Sequence, residues 1–321
     1  MAEQADYSKL IDQETWAFIK RTAAWYPDDT VDKTIGEQRS IYDAMCREFF
    51  AGYPDGVTAT DSSIDAGDHE IPIRSYASAN GNDTAFVVYY HGGGFVVGGL
   101  ESHDDVCAEI CDRTGFPVVS VDYRMAPENA FPDCFNDALT AYEWACGQTS
   151  SPIMLVGDSA GGNLAAAVCH ATRSAKVKPA GLVSIYPGFS GDYTKHSCAF
   201  HAQAPLLTRH DLEFYSHVRA RGADVTDDPR AAPLADSDFT GLPPTVIISA
   251  ECDPLSDDGR DYRDAIIAAG GKAVWFNEKG LVHGYLRARN SVTRARKSFD
   301  RIIHAIDSLA RGAWPYDTSG D

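Results

Sequence analysis

The sequence alternates short apolar runs, rich in β-branched and aromatic residues, with longer amphipathic stretches. Each interval leaves room for a helix, which is the pattern of a parallel sheet whose strands are joined by crossover helices. The runs are almost continuously apolar, as expected of strands covered on both faces. We therefore predict the α/β class, with a mostly parallel central sheet flanked by helices and an antiparallel hairpin over 57–64 and 71–77. The parallel strands are expected at 85–90, 117–122, 152–156, 180–186, 244–250 and 272–276.

Two segments interrupt this alternation and predict a helical cap. Residues 188–235 read as a loop followed by a helix near 210–221. In residues 7–50, apolar side chains fall at helical spacing along one face: Tyr7, Ile11, Phe18 and Trp25. Such segments commonly fold over a crevice, and peripheral packing is the alternative. We expect a single domain over 1–321, with the cap formed by about 1–50 and 188–235.

The chain is strongly acidic. Asp and Glu number 46 against 28 Lys and Arg, a formal net charge of −18. Such a surface repels nucleic-acid phosphates and anionic lipid, so we expect neither a nucleic-acid nor a membrane partner. The N-terminus shows no basic segment followed by an apolar one, and no apolar run approaches the ~20 residues of a membrane span. These features predict a cytoplasmic protein.

The eight cysteines are scattered and show no Cys-x-x-Cys spacing. In a chain of this size, that distribution indicates reduced, mostly buried thiols. His196, Cys198 and His201 lie close together in the sequence, and we interpret this as a coincidence within a surface loop. No metal and no cofactor are expected.

The segment GDSAGG at 157–162 places Ser159 among small residues. An apolar strand precedes it and a helical stretch follows, which is the strand–turn–helix context of a nucleophile elbow. An ordinary strand-to-helix turn with a serine cap would explain Ser159, but not the glycines on both sides. Ser159 is therefore the candidate nucleophile.

A serine hydroxyl needs a base, and the base needs an acid that orients it. Among the histidines after Ser159, only His283 follows a sheet strand, through a short loop. Asp253 comes just after the strand at 244–250, and Glu251, two residues nearer to that strand, is the alternative acid. These side chains all follow strands at one edge of the sheet, where open α/β sheets bind their ligands.

The segment HGGG at 91–94 follows another strand. Consecutive glycines cost backbone entropy, which indicates that the backbone itself has a role there. A flexible turn, or clearance around His91 as a metal ligand or base, are the alternatives. Because Ser159 is a candidate nucleophile, we favour an oxyanion hole. Side chains at Gly93 and Gly94 would block the approach of the substrate to its backbone N–H groups. Its N–H donors would be Gly93, Gly94 and Ala160.

Together, HGGGF, GDSAGG, DPLSDDG and HGY resemble the motifs of the hormone-sensitive-lipase-like esterases of the α/β-hydrolase superfamily, over about residues 55–310. The resemblance implies the fold and cap of that family, no cofactor, and a possible homodimer formed through a sheet edge. It implies that the nucleophile, acid and base are Ser159, Asp253 and His283. It implies the same oxyanion donors, namely Gly93, Gly94 and Ala160.

The expected function is therefore that of a serine carboxylesterase that hydrolyses small, short-acyl esters through an acyl-enzyme intermediate. An amidase, a lactonase or a deacetylase would use the same residues, and a non-catalytic ligand receptor is the alternative from another class. Receptors that resemble this family lack the catalytic histidine, so His283 favours the enzyme. Tyr285 stands where the family more often has Phe, and we expect it to tune the pocket. Candidate substrate-binding residues, for which packing is an equal explanation, are Phe95, Tyr186 and Phe189.

Overall fold

The computed structural model describes residues 4–316, which contain one eight-stranded sheet. Its order is β1-β2-β4-β3-β5-β6-β7-β8. The strands are β1 (Val57–Asp65), β2 (Glu70–Ser78), β3 (Phe86–Tyr90), β4 (Val118–Val121), β5 (Ile153–Asp158), β6 (Gly181–Ile185), β7 (Thr245–Cys252) and β8 (Ala273–Val282). β1 and β2 form the expected antiparallel hairpin, β2 runs antiparallel to β4, and the remaining neighbours are parallel. The predicted α/β class and mostly parallel sheet are confirmed.

Helices cover both faces of the sheet. They are α1 (Tyr7–Leu10), α2 (Gln13–Ala23), α3 (Ile35–Phe49), α4 (Asp104–Thr114), α5 (Asp133–Gln148), α6 (Ala160–Thr172), α7 (His196–Phe200), α8 (Arg209–Arg219), α9 (Ser256–Ala268) and α10 (Thr293–Ala310). α4 and α10 pack on one face, and α5, α6 and α9 pack on the other. Within residues 4–316, no helix is long and apolar enough to cross a lipid bilayer.

β3 shows why the apolar runs are nearly continuous. Val87 and Tyr89 belong to the core under α4 and α10, whereas Val88 and Tyr90 belong to the core on the opposite face. All four side chains are buried. Successive residues of a strand point to opposite faces, so a strand covered on both sides carries apolar residues at every position.

The N-terminal segment is helical, but it does not form one continuous face. The Asp12 carboxylate accepts a hydrogen bond from the Thr15 N–H and thereby caps α2, which starts a new helix after α1. α2 ends at Ala23, so Trp25 lies beyond it and is 44% exposed. The expectation that Tyr7, Ile11, Phe18 and Trp25 share one helical face is therefore wrong, because α1 ends at Leu10 and α2 ends at Ala23.

The segment between β6 and β7 contains the predicted helix as α8, and also the short helix α7. Thr208 and Asp211 form a capping box that begins α8. Further along α8, the Tyr215 hydroxyl lies 2.8 Å from the hydroxyl of Tyr26, just after α2. The N-terminal segment and the insertion therefore meet through a hydrogen bond.

β8 is longer than the sequence predicts. The expected strand ended at residue 276, but β8 continues to Val282 through the polar residues Asn277, Glu278 and Lys279. β8 is the last strand of the sheet, with side chains at 274–278 only partly buried and Lys279 exposed, and such a strand tolerates polar residues. His283 consequently follows the strand directly, and the expected short loop before it is absent.

Candidate active site

Ser159 occupies the sharp turn between β5 and α6. Its backbone has φ = 52° and ψ = −118°, which is a strained conformation for a residue with a side chain. A Cβ atom on Gly157 would collide with the backbone of Gly161, and one on Gly161 would collide with the carbonyl group of Tyr90. The small residues around Ser159 are therefore required by the close approach of backbone segments. The turn presents the hydroxyl of Ser159 at the carboxyl edge of the sheet.

His283 connects Ser159 to Asp253. Its Nε2 lies 2.8 Å from Ser159 Oγ, and its Nδ1 lies 2.7 Å from Asp253 Oδ2. Asp253 is buried, and its other carboxylate oxygen accepts a hydrogen bond from the Leu255 N–H. We assign the imidazole proton to Nδ1, since a carboxylate accepts it there, and Nε2 is then available to accept the Ser159 proton.

Glu251, the alternative acid, has different partners. Its Oε1 lies 2.7 Å from Lys279 Nζ, and its Oε2 accepts a hydrogen bond of 2.8 Å from the Gly280 N–H. Both partners lie on β8, so this carboxylate joins β7 to β8. The geometry therefore favours Asp253 over Glu251 as the partner of His283.

The glycine loop after β3 and the first residue of α6 present backbone N–H groups near Ser159. Within residues 4–316, the N–H groups of Gly93, Gly94 and Ala160 donate no hydrogen bond to the protein. The φ angles of Gly93 and Gly94 are 134° and 60°. A Cβ on Gly93 would collide with the Val97 carbonyl oxygen, and one on Gly94 would lie 2.6 Å from the Tyr215 ring. The sequence predicted glycine at these positions because the substrate needs access. The structure adds that a side chain at Gly93 or Gly94 would also collide with neighbouring protein atoms.

Asp158, which precedes Ser159, is a site residue that the sequence analysis missed. Its buried carboxylate accepts hydrogen bonds from the Tyr89 hydroxyl (2.8 Å), the Gly92 N–H (2.9 Å) and the Tyr186 hydroxyl (3.2 Å). His103 Nε2 lies 3.2 Å from it, without the alignment of a hydrogen bond. Burial raises the pKa of Asp158, but His103 and Tyr89 outweigh burial and hold that pKa below its usual range. The ionised carboxylate anchors the glycine loop beside the serine turn.

His91, which begins the glycine loop, is fully buried. Its ring stacks on Tyr123 with centroids 4.4 Å apart, and the Tyr123 hydroxyl donates to the His91 carbonyl oxygen. Burial lowers the pKa of His91 to about 4, so the ring is neutral near pH 7. Among the side chains of residues 4–316, no three His, Cys, Asp or Glu residues are arranged to hold a metal ion. These contacts favour a packing role for His91.

A cavity opens over Ser159 and His283. Its walls come mainly from the N-terminal helices and from the insertion between β6 and β7, and most of the wall side chains are apolar or aromatic. They include Phe18, Tyr26, Tyr42, Met45, Leu206 and Tyr215. Two of the three candidate substrate-binding residues, Phe95 and Tyr186, also line the cavity.

Two aromatic residues expected at the pocket lie behind its wall. Phe189 is fully buried against Tyr262, with ring centroids 4.3 Å apart. Tyr285 is fully buried too, and its hydroxyl lies 2.7 Å from Ser298 Oγ on α10. Both stand in the core rather than at the cavity. Tyr285 contacts the cavity wall through Tyr186, with ring centroids 5.2 Å apart, and its tuning of the pocket stays a prediction.

The parallel sheet, the strained serine turn after β5 and the Asp–His pair after β7 and β8 together form the architecture of an α/β hydrolase. A family model described as the alpha/beta hydrolase fold matches residues 87–287. The chain belongs to this family, within the hormone-sensitive-lipase-like group that the motifs predicted.

Several characterised proteins are similar to the chain over most of its length. It is 36% identical over 270 residues to the carboxylic ester hydrolase LipN of Mycobacterium tuberculosis, covering 80% of this chain and 71% of LipN. It is 32% identical over 250 residues to the ethyl acetate hydrolase of Pseudomonas putida, covering 74% of this chain and 78% of that protein. A hyperthermophilic esterase from the archaeon Pyrobaculum calidifontis shares the fold with a TM-score of 0.85 and 29% identity, covering 94% of this chain and 99% of that chain. All three are named for ester hydrolysis or as an esterase.

Proposed function

We propose that this chain is a serine carboxylesterase that hydrolyses small, short-acyl esters through an acyl-enzyme. The observation that carries the proposal is the hydrogen-bonded series Asp253–His283–Ser159, which ends in a cavity. Serine becomes nucleophilic when an oriented base removes its proton. The ester hydrolases among the relatives support the choice of esters as substrates.

Acylation begins when Ser159 Oγ attacks the ester carbonyl carbon and its proton passes to His283 Nε2. Asp253 keeps the imidazole in the Nδ1–H tautomer and stabilises the imidazolium that forms. His283 then gives the proton to the departing alkoxide. In deacylation, His283 takes a proton from water as the water oxygen attacks the acyl carbon. His283 then returns that proton to Ser159 Oγ as the bond between Oγ and the acyl carbon breaks, which releases the acid and restores the hydroxyl.

The negative charge that develops on the carbonyl oxygen is stabilised by backbone donors. We assign this role to the N–H groups of Gly93, Gly94 and Ala160, because they have no acceptor within residues 4–316. Loss of one such donor typically lowers the rate by a factor on the order of 10² to 10³. Asp158 supports the donors by holding the Gly92 N–H.

The proposed preference for short acyl chains rests on the walls of the cavity. Large side chains, among them Tyr26, Tyr42, Phe95, Tyr186 and Tyr215, line the space around Ser159. In our proposal, Phe95 and Tyr186 contact the substrate directly. The name of the Pseudomonas putida relative, an ethyl acetate hydrolase, agrees with a small acyl group.

The same lining supports a cap composed of about 1–50 and 188–235. α2 and α3 contribute Phe18, Tyr42 and Met45 to the cavity, and α8 contributes Tyr215. The hydrogen bond between Tyr26 and Tyr215 links the two parts. We propose that these segments exclude water from the reacting ester and set the shape of its binding site.

The test is hydrolysis of 4-nitrophenyl esters from acetate to dodecanoate, with the Ser159→Ala variant as the blank. A serine-dependent rate that is highest for short chains supports the proposal. A maximum at long chains would keep the esterase but reject the short-acyl preference. If folded protein hydrolyses none of the esters and does not react with a labelled fluorophosphonate, the enzyme assignment is wrong.

A further inference from the structure

Arg287 lines the cavity from the turn that follows His283. Its Nη2 donates hydrogen bonds to the Tyr42 hydroxyl (2.6 Å) and to Cys46 Sγ (3.4 Å). Its Nε is buried and has no hydrogen-bond partner within residues 4–316. In the same part of the chain, no carboxylate oxygen lies within 4.0 Å of this guanidinium group. The hydrogen-bond partners of Arg287 at the cavity are thus neutral, and the buried Asp158 carboxylate interacts with it only from beyond 4.0 Å.

Arg219, at the end of α8, is a second cation of this kind. It lines the same cavity, is 6% exposed, and also has a buried Nε without a partner among residues 4–316. Its Nη1 donates to the Ala231 carbonyl oxygen and its Nη2 to Asn163 Oδ1. Its guanidinium carbon lies 3.6 Å from the centroid of the Phe95 ring. Both terminal nitrogens of Arg219 donate hydrogen bonds to the protein, and the Phe95 ring covers one face of its guanidinium group. Arg219 is therefore less available to bind a ligand than Arg287.

The negative groups that line the cavity are already engaged. Asp158 accepts hydrogen bonds from two tyrosine hydroxyls and a backbone N–H. Asp211 caps α8 by accepting hydrogen bonds from the N–H and the hydroxyl of Thr208. A guanidinium group stays charged in proteins, and a charge removed from water is costly unless an opposite charge or a full set of hydrogen bonds meets it. Two carboxylates therefore accompany two guanidinium groups at the cavity, but within residues 4–316 neither carboxylate accepts a hydrogen bond from Arg287 or Arg219.

We propose that the ester substrate carries a carboxylate group and that Arg287 binds it. A guanidinium N–H donates a charge-assisted hydrogen bond to a carboxylate, and Arg287 Nη1 has no protein acceptor within residues 4–316, whereas Nε is buried and out of reach of a ligand. Arg219 contributes positive potential from another part of the wall. The inference rests on the proposed esterase function and specifies its substrate class as small esters with an anionic acid or alcohol part.

Because the whole chain is strongly negative, a preference for anionic esters depends on the contact with Arg287 inside the cavity. At −18, the protein surface repels anions at a distance, so a preference for an anionic ester has to arise inside the cavity. At about 0.15 M salt, charges separated by more than about 8 Å are largely screened, whereas a contact inside the cavity is screened much less. Kinetics at that salt concentration therefore report mainly on the cavity.

The test compares anionic esters with neutral esters of the same shape. For the alcohol side, the pair is 4-acetoxybenzoate and 4-isopropylphenyl acetate. For the acyl side, it is the mono-4-nitrophenyl ester of adipic acid and 4-nitrophenyl 6-methylheptanoate. Ser159→Ala supplies the blank for each ester. We expect the wild type to favour the anionic member of at least one pair in kcat/KM, and which pair shows it identifies the end of the ester that faces Arg287.

Variants separate binding of the carboxylate from a structural role of Arg287. Arg287→Met should lower the anionic-to-neutral ratio of kcat/KM by about tenfold or more, mainly through KM, because a charge-assisted hydrogen bond is lost. Arg287→Lys should restore part of the ratio. Tyr42→Phe removes the hydrogen bond to Arg287 but keeps the guanidinium, so its ratio should stay above that of Arg287→Met. Arg209→Met, which removes an exposed cation from α8, should leave the ratio unchanged.

Two results would overturn the inference. One is a wild-type ratio at or below one for both pairs. The other is an Arg287→Met variant that loses activity equally on the anionic and neutral esters, since that pattern indicates a structural role only. Serine-dependent hydrolysis of the neutral esters in either case would leave the proposed esterase function intact. Absence of serine-dependent hydrolysis of every ester would instead remove the proposed function itself.

Discussion

Ser159 and His283 share one hydrogen bond, so the removal of either partner eliminates the same chemical step. We expect Ser159→Ala and His283→Ala each to lower kcat for 4-nitrophenyl acetate by a factor on the order of 10⁴ to 10⁶. The Ser159 side chain has His283 as its only hydrogen-bond partner within residues 4–316, so Ser159→Ala should fold normally. Steady-state kinetics and thermal unfolding of the same preparations check both statements. A wild-type rate in either variant would contradict the assigned mechanism.

The two candidate acids, Asp253 and Glu251, provide a matched pair of substitutions. Asp253→Asn keeps the shape of the side chain but favours the wrong tautomer of His283, so kcat should fall by about 10³- to 10⁴-fold. Glu251→Gln weakens contacts with Lys279 and Gly280 and should affect thermal stability more than kcat. Both variants are measured with the same short ester. A larger loss of kcat in Glu251→Gln would assign the acid to Glu251.

Among single residues, those within spaced motifs could be predicted and those brought in by tertiary contacts could not. Ser159 and His283 lie in short sequence motifs that predict their chemical roles without a structure. Asp158 was inside the same motif, yet its role depends on Tyr89 and Tyr186, which reach it from β3 and from beyond β6. The role proposed for Arg287 could not be predicted for a related reason. The local sequence does not show whether a carboxylate lies beside an arginine in the folded protein.

At the scale of elements, the loop after β3 depends on a backbone conformation that glycine alone adopts without strain. In Gly93→Ala, the new Cβ would collide with the Val97 carbonyl oxygen, and φ = 134° is unfavourable for alanine. We expect kcat to fall by about 10²-fold as the proposed oxyanion donors move, together with a lower Tm.

Gly147→Ala is the control for that substitution. Gly147 is an exposed residue of α5, and a Cβ there would meet no atom within 4 Å. Alanine should therefore stabilise the helix by about 0.5–1 kcal/mol and leave kcat unchanged. If Gly93→Ala behaved like Gly147→Ala in kinetics and thermal unfolding, the proposed role of the loop would be wrong.

Elements with a strong apolar pattern could be predicted, while their ends and breaks could not. β3 and β5 are nearly uniform in hydrophobicity and were expected almost at their observed bounds. The second half of β8 was not expected, because Asn277, Glu278 and Lys279 resemble a loop when partial burial at an edge strand is unknown. The break before α2 depends on one capping contact of Asp12, which periodicity does not register.

At the scale of the whole molecule, Asp122 couples stability to pH. Burial raises the pKa of Asp122 from 3.8 to about 6. Between these values the folded protein binds more protons than the unfolded chain, so this group favours folding increasingly as the pH falls through 6 toward 4. At pH 7.5, the Asp122 carboxylate is ionised and partly removed from water, which lowers the free energy of unfolding. The neighbouring His91, at 3.9 Å, has its pKa lowered to about 4 by burial and stays largely neutral above pH 5.

Asp122→Asn should therefore stabilise the protein at pH 7.5 by about 1–2 kcal/mol, after allowance for the partial exposure of the carboxylate to solvent. The advantage should shrink as the pH falls from 7 to 5, because the wild-type carboxyl becomes protonated. Urea unfolding of both proteins across this range measures the difference. Asp83→Asn, which removes an exposed carboxylate, controls for the change in net charge. A difference that stays constant with pH would show that desolvation of Asp122 is not its cause.

The class of the molecule followed from alternation along the chain, but the order of its strands did not. β4 comes after β3 in sequence and yet lies between β3 and β2, an arrangement set by long-range pairing. Local periodicity carries no information on such pairing, so the sequence predicted the strands without their order. The residues that line the cavity could not be predicted from the sequence either, because they depend on how two segments distant in sequence pack together.

The position of the proposed catalytic groups on neighbouring strands has a consequence for evolution and engineering. The glycine loop and the serine turn follow the adjacent strands β3 and β5, and the acid and base follow the adjacent strands β7 and β8. Adjacent strands lie about 4.8 Å apart in any sheet, so the spacing between these groups is inherited from backbone pairing. Most of the cavity wall comes from segments outside the sheet. New substrates can therefore be acquired by remodelling those segments, while the chemistry is passed on unchanged.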